Sequence, residues 1–250
     1  MDAEIQRTAD LLKQAARIVV LTGAGVSQES GVPTFRDALT GLWAQYDPQQ
    51  LATPQAFRQN PKLVWDWYEF RRGLVRNAKP NPGHCALAQL QQKSLDLKII
   101  TQNVDDLHEQ AGAHDVMHLH GLIAETKCFF DCQGDPTIVD LSALPPYEDT
   151  PPPCPHCGRW LRPNVVWFGE PLPRGVFTAA RNACLGCDVV LVIGTSGLVE
   201  PAGSLPRLAK QTGARVIEVN PIESAITPIA DIYLGAPCGV ALPRVLEAMN

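Results

Sequence analysis

A glycine-bearing turn near the N-terminus is the first segment whose residue types could do chemistry. Gly23 and Gly25 follow an apolar run at 18–21, with Thr22 between them and the run, and such a turn lets the backbone approach a dinucleotide pyrophosphate closely because glycine has no side chain. Gln28 stands where the ordinary dinucleotide-binding fingerprint has its third glycine, and no second strand with a terminal acidic residue follows about 20 residues later. The turn therefore predicts a nucleotide site that differs from that of an ordinary NAD dehydrogenase.

Polar residues follow three further apolar runs at the points where these runs end. They occupy 101–105 (TQNVD), 194–196 (GTS) and position 220 (Asn). Ligands of open α/β sheets bind outside the carboxyl ends of the strands, so four polar strand ends predict one site. The alternative for each end taken singly is a helix cap or a turn without a ligand. That alternative would account for Gly23 and Gly25 but not for the long polar segment 26–37.

Two residues of a tryptophan-rich segment could bind a carboxylate. Tyr68 and Arg71 are three residues apart in a helical pattern and therefore project from one face. A guanidinium and a phenol directed into one pocket would bind a terminal carboxylate by charge-assisted hydrogen bonds worth about 1.5 to 3 kcal/mol. The alternative is an amphipathic helix with Tyr68 in the core and Arg71 in solvent, which is the better prediction for a lone pair of this kind.

Four of the eight cysteines have spacings that suit a metal site. The first residues of the chain form an amphipathic helical pattern rather than an export signal, so metal ligands or core residues are expected in preference to disulfides. Cys154 and Cys157 have the spacing of half a structural zinc site, in which thiolates hold a lobe with little core. Cys128 and Cys132 are expected to supply the other half, with one more residue between them.

The elements that must position these residues alternate between strands and helices. Four β-branched runs without polar alternation are typical of parallel strands that are buried on both faces. They lie at 18–21, 97–101, 189–194 and 216–220. Helical patterns follow at 82–92, 173–184 and 202–211, and a short strand at 232–234 and a helix at 240–249 come last. The alternation predicts an α/β fold with a Rossmann-like, doubly wound parallel sheet.

Two segments break this alternation and predict a smaller lobe made from two insertions. The first, 35–80, is helical and rich in tryptophan, and the second, 124–163, is rich in proline and carries the four cysteines. The first would be a helical insertion and the second a zinc-binding insertion. The nucleotide-binding domain would then consist of residues 1–34, 81–123 and 164–250.

The composition limits the possible partners. With 45% hydrophobic and 19% charged residues, the chain has the composition of a globular protein. Its formal net charge of -5 and its lack of a dense basic run make nucleic acid an unexpected partner. The sequence contains no stretch of about 18 apolar residues, so no membrane partner is expected and the cytoplasm is the expected location. A monomer is the default expectation because no heptad seam is present.

Six segments, in order, resemble the motifs of the sirtuins, the NAD-dependent protein lysine deacylases. They are GAGVS at 23–27, PTFR at 33–36, TQNVD at 101–105, HLHG at 118–121, VVWFGE at 165–170 and GTS at 194–196. Order and spacing match along nearly the whole chain. The resemblance implies that the acyl oxygen of the substrate attacks the ribose carbon bearing nicotinamide, and that the ribose 2'-hydroxyl then attacks the resulting imidate. The products would be free lysine, nicotinamide and O-acyl-ADP-ribose.

The resemblance also implies roles for individual residues. His120 matches the general base, a role that suits an imidazole because its pKa lies near neutrality. Asn103 and Asp105 match the pair that holds nicotinamide, and these three are the expected catalytic residues. His118 stands where an acidic residue is more usual, and the histidines at 84, 108, 114 and 156 are expected to be core or surface residues. The expected NAD contacts are Gly23, Ala24, Gly25, Ser27, Pro33, Thr34, Phe35, Arg36, Gln102, Asn103, Val104, Asp105, Gly194, Thr195, Ser196, Asn220 and Cys238.

The expected substrate contacts follow from the same resemblance. Val166, Phe168, Gly169 and Glu170 resemble the strand that pairs with the backbone of a substrate peptide, a mode of binding that recognises little sequence. The Tyr-x-x-Arg pattern at 68–71 resembles the branch that removes succinyl, malonyl and glutaryl groups, and acetyl is expected to enter the same pocket. Acyl-lysine proteins or peptides are therefore the expected partners.

Two other functions stay open at this point. One is a mono-ADP-ribosyltransferase, and the other is a module that senses NAD without catalysis. The presence of both Tyr68 and Arg71 favours deacylation over the first. The presence of the His120 motif, together with Asn103 and Asp105, favours an enzyme over the second.

Overall fold

The computed structural model describes residues 1–33, 45–94, 96–148 and 150–250, which divide into two compact units. The larger unit contains Met1–Val32, Ala78–Leu119 and Pro173–Asn250. The smaller unit contains Pro33–Asn77 and His120–Leu172. Three of the expected NAD contacts lie outside the described residues, namely Thr34, Phe35 and Arg36.

The described ranges contain strands and helices in the following order. The strands are β1 (Ile18–Thr22), β2 (Leu97–Thr101), β3 (Met117–His118), β4 (Gly121–Cys128), β5 (Leu161–Val165), β6 (Val189–Ile193), β7 (Arg215–Val219) and β8 (Ile232–Leu234). The α-helices are α1 (Asp2–Gln14), α2 (Ala24–Gln28), α3 (Pro48–Leu51), α4 (Pro54–Gln59), α5 (Pro61–Asn77), α6 (Pro82–Lys93), α7 (Leu107–Gln110), α8 (Arg174–Gly186), α9 (Leu205–Gln211) and α10 (Cys238–Ala248). None of the helices in these ranges is both long enough and apolar enough to cross a bilayer.

Six parallel strands form the sheet of the larger unit, in the order β3-β2-β1-β6-β7-β8. Thr22, the last residue of β1, lies opposite Thr101 on one side and Ile193 on the other, so the strands end at the same level. Every residue of β1 and β6 is buried, which explains why their sequences show no polar alternation. The predicted Rossmann-like fold is therefore confirmed. The two-residue strand β3 is too short to produce a sequence pattern.

An apolar core lies between strands of this sheet and neighbouring helices. It combines Val20, Ile99 and Leu191 from the strands with Leu87 from α6 and Leu242 from α10. These side chains are almost fully removed from water, and burial of this kind is the main favourable contribution to folding. The core therefore fixes the strand ends at which the polar residues lie.

The start of α6 shows how the sequence sets one of these helices. The Asn81 side chain accepts the N–H groups of Gly83 and His84 at 2.9 and 3.3 Å, while His84 Nδ1 accepts the N–H of Asn81 at 3.4 Å. This reciprocal cap, with Pro82 at the first helical position, satisfies donors that a helix start leaves unpaired. Asn81 Nδ2 also donates to the carbonyl of Val26 at 2.7 Å, which ties α6 to the glycine turn.

The smaller unit combines helices α3, α4 and α5 with the antiparallel strands β4 and β5. Gly121 lies opposite Val165 in this pair. The pairing extends beyond the predicted insertion 124–163, and residues 120–123 and 164–172 belong to the smaller unit. The expected boundaries differ from the observed division at these residues because neither strand has a recognisable sequence pattern, and they also differ at Pro33, which lies in the smaller unit, and at 78–80, which lie in the larger one.

Buried Arg72 attaches α5 to β4. Its Nε donates to the carbonyl of Ile123 at 2.6 Å, and one terminal nitrogen donates to the carbonyl of Glu125 and the hydroxyl of Thr126 at 2.7 and 2.8 Å. The other terminal nitrogen pairs with Glu69 at 2.5 Å. All the donors that the guanidinium directs at β4 thus meet acceptors, as a buried charge requires.

Candidate active site

The glycine turn after β1 packs directly against the turn after β6. The N–H of Gly23 donates to the carbonyl of Ile193 at 3.0 Å, and the N–H of Gly25 donates to that of Gly194 at 2.8 Å. A Cβ on Gly25 would lie 2.8 Å from the Cα of Gly194, whose own φ is +60°. These glycines are therefore required for the close contact between the two strand ends. Their pattern also predicts the close approach of a pyrophosphate.

Ser27, Asn103 and Asp105 form a buried hydrogen-bonded triad beyond the ends of β1 and β2. The Ser27 hydroxyl donates to Asp105 Oδ2 at 2.9 Å and accepts from Asn103 Nδ2 at 2.9 Å. The N–H of Asn103 donates to Thr101 Oγ1 at 3.0 Å, and Asp105 Oδ1 accepts the N–H of Leu107 at 3.2 Å. Both residues expected in the nicotinamide pocket are thus held by side-chain and backbone bonds.

The electrostatics of this triad suit a ligand that donates hydrogen bonds. Burial raises the pKa of the Asp105 carboxyl, while the hydrogen bonds from Ser27 and from the N–H of Leu107 oppose that rise. A buried carboxylate in this balance gains from any further donor that reaches it. The triad can therefore hold an amide or hydroxyl group, the chemistry expected of a nicotinamide and ribose site.

The other predicted strand ends converge on Thr195. Gln102 Nε2 donates to Thr195 Oγ1 at 3.1 Å, and Asn220 Nδ2 donates to the Thr195 carbonyl at 3.2 Å. The N–H of Gln102 donates to the carbonyl of Thr22 at 3.0 Å, which links β2 back to β1. The structure thus brings the four predicted strand ends together. The remaining expected contacts within the described residues are half-buried or exposed: Ala24, Pro33, Val104 and Ser196.

Cys238, at the start of α10, lies beside a carboxylate that the sequence motifs do not single out. Its Sγ donates to Glu29 Oε1 at 3.0 Å, and the N–H of Gly239 donates to the same oxygen at 3.1 Å. Burial and the neighbouring Glu29 raise the pKa of the Cys238 thiol, so this cysteine is a packing residue and not a nucleophile. The only sequence signal for Glu29 is its place in the polar segment 26–37.

Two histidines lie where β3 ends, at 118 and 120. His118 Nε2 is 2.7 Å from Glu109 Oε1, and its Nδ1 is 3.4 Å from the carbonyl of Asn103. Half-buried His120 begins the smaller unit, and its carbonyl accepts the N–H of Val166 at 2.9 Å. His120, the expected base, therefore directly follows Leu119, the residue at which the second segment of the larger unit ends.

Tyr68 and Arg71 lie on one face of α5, as their spacing predicts. Tyr68 is 3% exposed, and its hydroxyl accepts from Trp167 Nε1 at 3.0 Å. Burial raises the pKa of Tyr68, although Arg71 opposes the rise, so the phenol is neutral and can donate its proton. Arg71 Cζ lies 5.7 Å from the centroid of the Tyr68 ring and 5.9 Å from that of Trp67. The buried Tyr68 agrees with a core role, whereas the half-buried Arg71 on its ring does not agree with a fully solvated arginine.

The segment expected to pair with a substrate peptide is a turn rather than a strand. β5 ends before Val166, and Gly169 has a φ of +86°. The N–H groups of Val166 and Phe168 each donate at 2.9 Å to carbonyls of the same unit, and the Phe168 side chain is 56% exposed. The expected strand at these residues is therefore wrong because the backbone turns, and peptide pairing here stays a prediction.

Glu170, another expected substrate contact, is bound to Arg162. Two guanidinium nitrogens donate to Glu170 Oε1 and Oε2 at 2.6 and 3.0 Å, and Oε2 also accepts the N–H of Trp167 at 2.8 Å. Arg162 is fully buried, and its Cζ lies 3.2 Å from the centroid of the Trp167 ring. Three donors thus bind this carboxylate, so Glu170 positions Trp167, the partner of Tyr68, and its contact with a peptide stays a prediction.

The four predicted cysteines meet in one cluster in the smaller unit. Their Sγ atoms all lie within 4.8 Å of one another, with Cys128 and Cys157 at 3.6 Å and Cys132 and Cys154 at 3.9 Å. Thiolates at about 2.3 Å from a tetrahedral zinc ion are about 3.8 Å apart, so this donor set fits Zn²⁺. The longer spacing of the first pair does not prevent the cluster from closing. None of the four forms a disulfide.

This arrangement belongs to a known group of proteins. Residues 23–201 match the family model described as the Sir2 family. The chain belongs to the Sir2 family. The sirtuin resemblance of its motifs is thereby confirmed.

Relatives of this Sir2-family chain cover it almost completely. The "NAD-dependent protein deacylase 2" of Pyrobaculum aerophilum is 51% identical over 97% of this chain and 94% of its own length. The "NAD-dependent protein deacylase" of Ralstonia nicotianae is 50% identical over 94% of this chain and 93% of its own. The "NAD-dependent protein deacylase 1" of Pseudomonas aeruginosa is 47% identical over 97% and 98%.

Solved Sir2 structures superpose closely on the chain. A Sir2 homolog in complex with NAD has a TM-score of 0.88 at 43% identity and covers 98% of this chain and 94% of its own. A mutant Sir2 homologue with ADP-ribose has the same TM-score and identity, with 97% and 95% covered. Sir2Af2 bound to a myristoylated histone peptide has a TM-score of 0.77 at 31% identity and covers 100% and 97%.

Proposed function

We propose that this Sir2-family chain is an NAD-dependent protein deacylase that prefers acyl groups with a terminal carboxylate, namely succinyl, malonyl or glutaryl. Deacylation rests on the family and on relatives of nearly equal length that are named NAD-dependent protein deacylases. NAD is the co-substrate, since solved relatives contain NAD or ADP-ribose, and zinc is the structural metal of the four cysteines. The preference for acidic acyl groups goes beyond what these relatives support and rests on residues of α5.

The stacking of Arg71 on buried Tyr68 carries this preference. The guanidinium supplies a permanent positive charge, and the Tyr68 hydroxyl, which accepts from Trp167, still has its own proton to donate. A carboxylate between these donors would form charge-assisted hydrogen bonds worth about 1.5 to 3 kcal/mol. Acetyl would gain nothing from Arg71, because it carries no charge.

A second layer of contacts holds the Tyr68 hydroxyl in place. The indole N–H of Trp167 donates to the Tyr68 hydroxyl. Trp167 is itself held by Glu170, which accepts its backbone N–H, and by Arg162, whose guanidinium lies on its ring. Donors that are fixed before the ligand arrives lose less conformational entropy on binding than mobile ones. This supports a pocket built for a defined acyl terminus rather than a helix surface that happens to carry an arginine.

The catalytic roles follow the resemblance. NAD supplies the ribose carbon that the acyl oxygen attacks and the nicotinamide that leaves. Asn103 and Asp105, bound to each other through Ser27, hold the carboxamide, and His120 accepts a ribose hydroxyl proton. Acyl-lysine peptides are the substrates, a proposal supported by the relative that binds a myristoylated histone peptide. A cytoplasmic location, a monomeric state and the absence of nucleic-acid binding stay predictions.

The test compares succinyl-lysine and acetyl-lysine versions of one peptide with NAD as co-substrate. Arg71→Met should lower kcat/KM for the succinyl peptide by about 10- to 100-fold and leave the acetyl reaction nearly unchanged, because only the carboxylate uses the guanidinium. Arg76→Met, in the exposed last turn of the same helix, is the matched control and should change neither reaction.

His120→Tyr should abolish both reactions, since the proposed base serves every acyl group. A wild-type enzyme that prefers acetyl, or an Arg71→Met variant that keeps the succinyl preference, would refute the acidic-acyl pocket but not the deacylase. Consumption of NAD with ADP-ribose appearing on protein, and without acyl removal, would instead favour the transferase.

A further inference from the structure

His118 connects the two ends of the loop that carries Asn103 and Asp105. This loop runs from the end of β2 to α7. From β3, His118 Nδ1 reaches the carbonyl of Asn103 at 3.4 Å, at the beginning of the loop, and Nε2 reaches Glu109 Oε1 at 2.7 Å, on α7. The side chain is only 10% exposed, so water competes little for these contacts. One imidazole therefore spans the segment that forms the nicotinamide pocket.

Only a protonated imidazole satisfies both contacts. A carbonyl and a carboxylate oxygen are acceptors, and the imidazolium has two N–H donors to match them. A neutral ring has one donor and one lone pair, so it would direct the lone pair at one of the two oxygens. The geometry thus specifies the charged form of His118.

The charges that face His118 agree with this assignment. Burial by itself lowers the pKa of His118, but the hydrogen bonds to Glu109 and to the Asn103 carbonyl, together with the nearby Asp105 carboxylate, raise it above its ordinary value. His108 on α7 adds no competing charge, since burial lowers its pKa to about 3. The contribution of the imidazolium is therefore complete below the ordinary histidine pKa and is lost as the pH rises through the raised one.

We propose that His118 and Glu109 are positioning residues of the deacylation reaction, which hold Asn103 and Asp105 in their nicotinamide-binding geometry while His118 is protonated. The proposal rests on the proposed function only through the role of Asn103 and Asp105, and it is independent of the acyl preference. Neither residue needs to touch the reacting atoms. Nicotinamide affinity, rather than acyl specificity, is the property that they control.

The test measures the inhibition constant of nicotinamide against deacylation of an acetyl-lysine peptide, between pH 6 and pH 9. In the wild type this constant should rise by about three- to tenfold across an alkaline transition as His118 loses its proton. Proton NMR of the His118 ring, assigned with His118→Gln, should give the same midpoint without any turnover. Because His120 also exchanges protons during turnover, the inhibition constant is a cleaner measure than kcat.

The variants separate positioning from mere structure. His118→Gln should bind nicotinamide weakly at every pH and show no transition, and Glu109→Gln should move the transition to lower pH because the imidazolium loses its carboxylate. His114→Gln removes an exposed histidine that is also paired with an aspartate and should behave as the wild type. The proposal would be overturned if Glu109→Gln left the pH of the transition unchanged, or if His118→Gln still showed the wild-type transition. If the wild-type protein showed no deacylation at all, that result would count against the proposed function instead.

Discussion

The two units of this protein are stabilised by different kinds of buried side chain. The largest fully buried residues of the larger unit are aliphatic, among them Ile18, Leu21 and Ile99. Those of the smaller unit are three aromatic rings, two arginines, Arg72 and Arg162, and one aliphatic residue, Leu51. The largest buried side chains of the larger unit thus contribute non-directional burial of apolar area, whereas the smaller unit adds to its aromatic rings two guanidinium groups whose directional bonds need all their partners.

The two kinds of buried side chain should respond differently when a contact is removed. An aliphatic core loses stability gradually, because neighbours relax into part of any space that a substitution leaves. A buried guanidinium that loses its carboxylate, or a thiolate cluster without its cation, keeps an uncompensated charge in a medium that disfavours it. We therefore expect the smaller unit, which carries the proposed acyl site at Tyr68 and Arg71, to lose its structure abruptly, and the larger unit, which carries Asn103 and Asp105, to lose stability gradually.

Removal of the metal should have the largest effect. Binding of structural zinc contributes an apparent free energy of about 10 to 16 kcal/mol in zinc-finger peptides, and the apolar cluster beside the cysteines is small, with Trp65, Leu161 and Val139 as its main members. Chelation, or Cys154→Ser, should unfold the smaller unit and abolish deacylation. Hydrogen exchange should then show fast amides in β4 and β5 and protected amides in β1 and β6.

Cys85→Ala is the control for this experiment, since Cys85 lies on α6 in the larger unit and outside the cluster. It should leave every amide as protected as in the wild type. Continued protection of β4 and β5 after complete removal of the metal would show that the buried aromatic rings and the bonds of Arg72 and Arg162 hold the smaller unit without zinc.

Loss of the buried Arg162 should have the next largest effect. Arg162→Met removes both bonds to Glu170 and the bond to the carbonyl of Val165, and breaking a buried ion pair typically costs about 3 to 5 kcal/mol. The free energy of opening of β5, measured by hydrogen exchange, should fall by this amount. Arg159→Met, which removes an exposed guanidinium from the Phe130 ring, should cost no more than about 1 kcal/mol. Equal losses in the two variants would contradict the contrast between the units.

The same contrast explains which parts of the fold the sequence predicts. Strands such as β1 and β6 are buried on both faces, so each leaves an apolar run that can be recognised without knowing its neighbours. Strands β4 and β5 leave no such run, since a charged residue, Arg162, is among their buried side chains. A buried polar side chain such as Arg72 has partners on a distant part of the chain, and the periodicity of the sequence carries no information about them.

The candidate site divides in the same way. Strand-end polar residues and paired cysteines have local spacings, and the structure brings both groups together as predicted. The roles of His120, Asn103 and Asp105 came from the family motifs and not from spacing. Partners such as Glu29, beside Cys238, and Glu109, beside His118, have no motif of their own, and only the fold reveals them.

The smallest effect concerns two buried titratable residues of the larger unit, His84 and His108. Their rings are 4.9 Å apart, and burial lowers their pKa values to about 4 and about 3, below the ordinary 6.5. Between pH 6.5 and about 4 the unfolded chain therefore binds more protons than the folded one, and stability falls as the pH falls, by at most about 1.4 kcal/mol per pH unit for each group. Urea unfolding of the larger unit at pH 7, 6 and 5 should show this slope.

His84→Gln should remove about half of that slope, since one of two titrating groups is gone while glutamine still supplies the reciprocal helix cap. His156→Gln, at an exposed position of the smaller unit, should leave the slope as it is. A slope that His84→Gln does not change would place the acid sensitivity in another group. The buried histidines would then contribute nothing to the acid sensitivity of the larger unit, and the comparison between the units would depend on their other buried side chains.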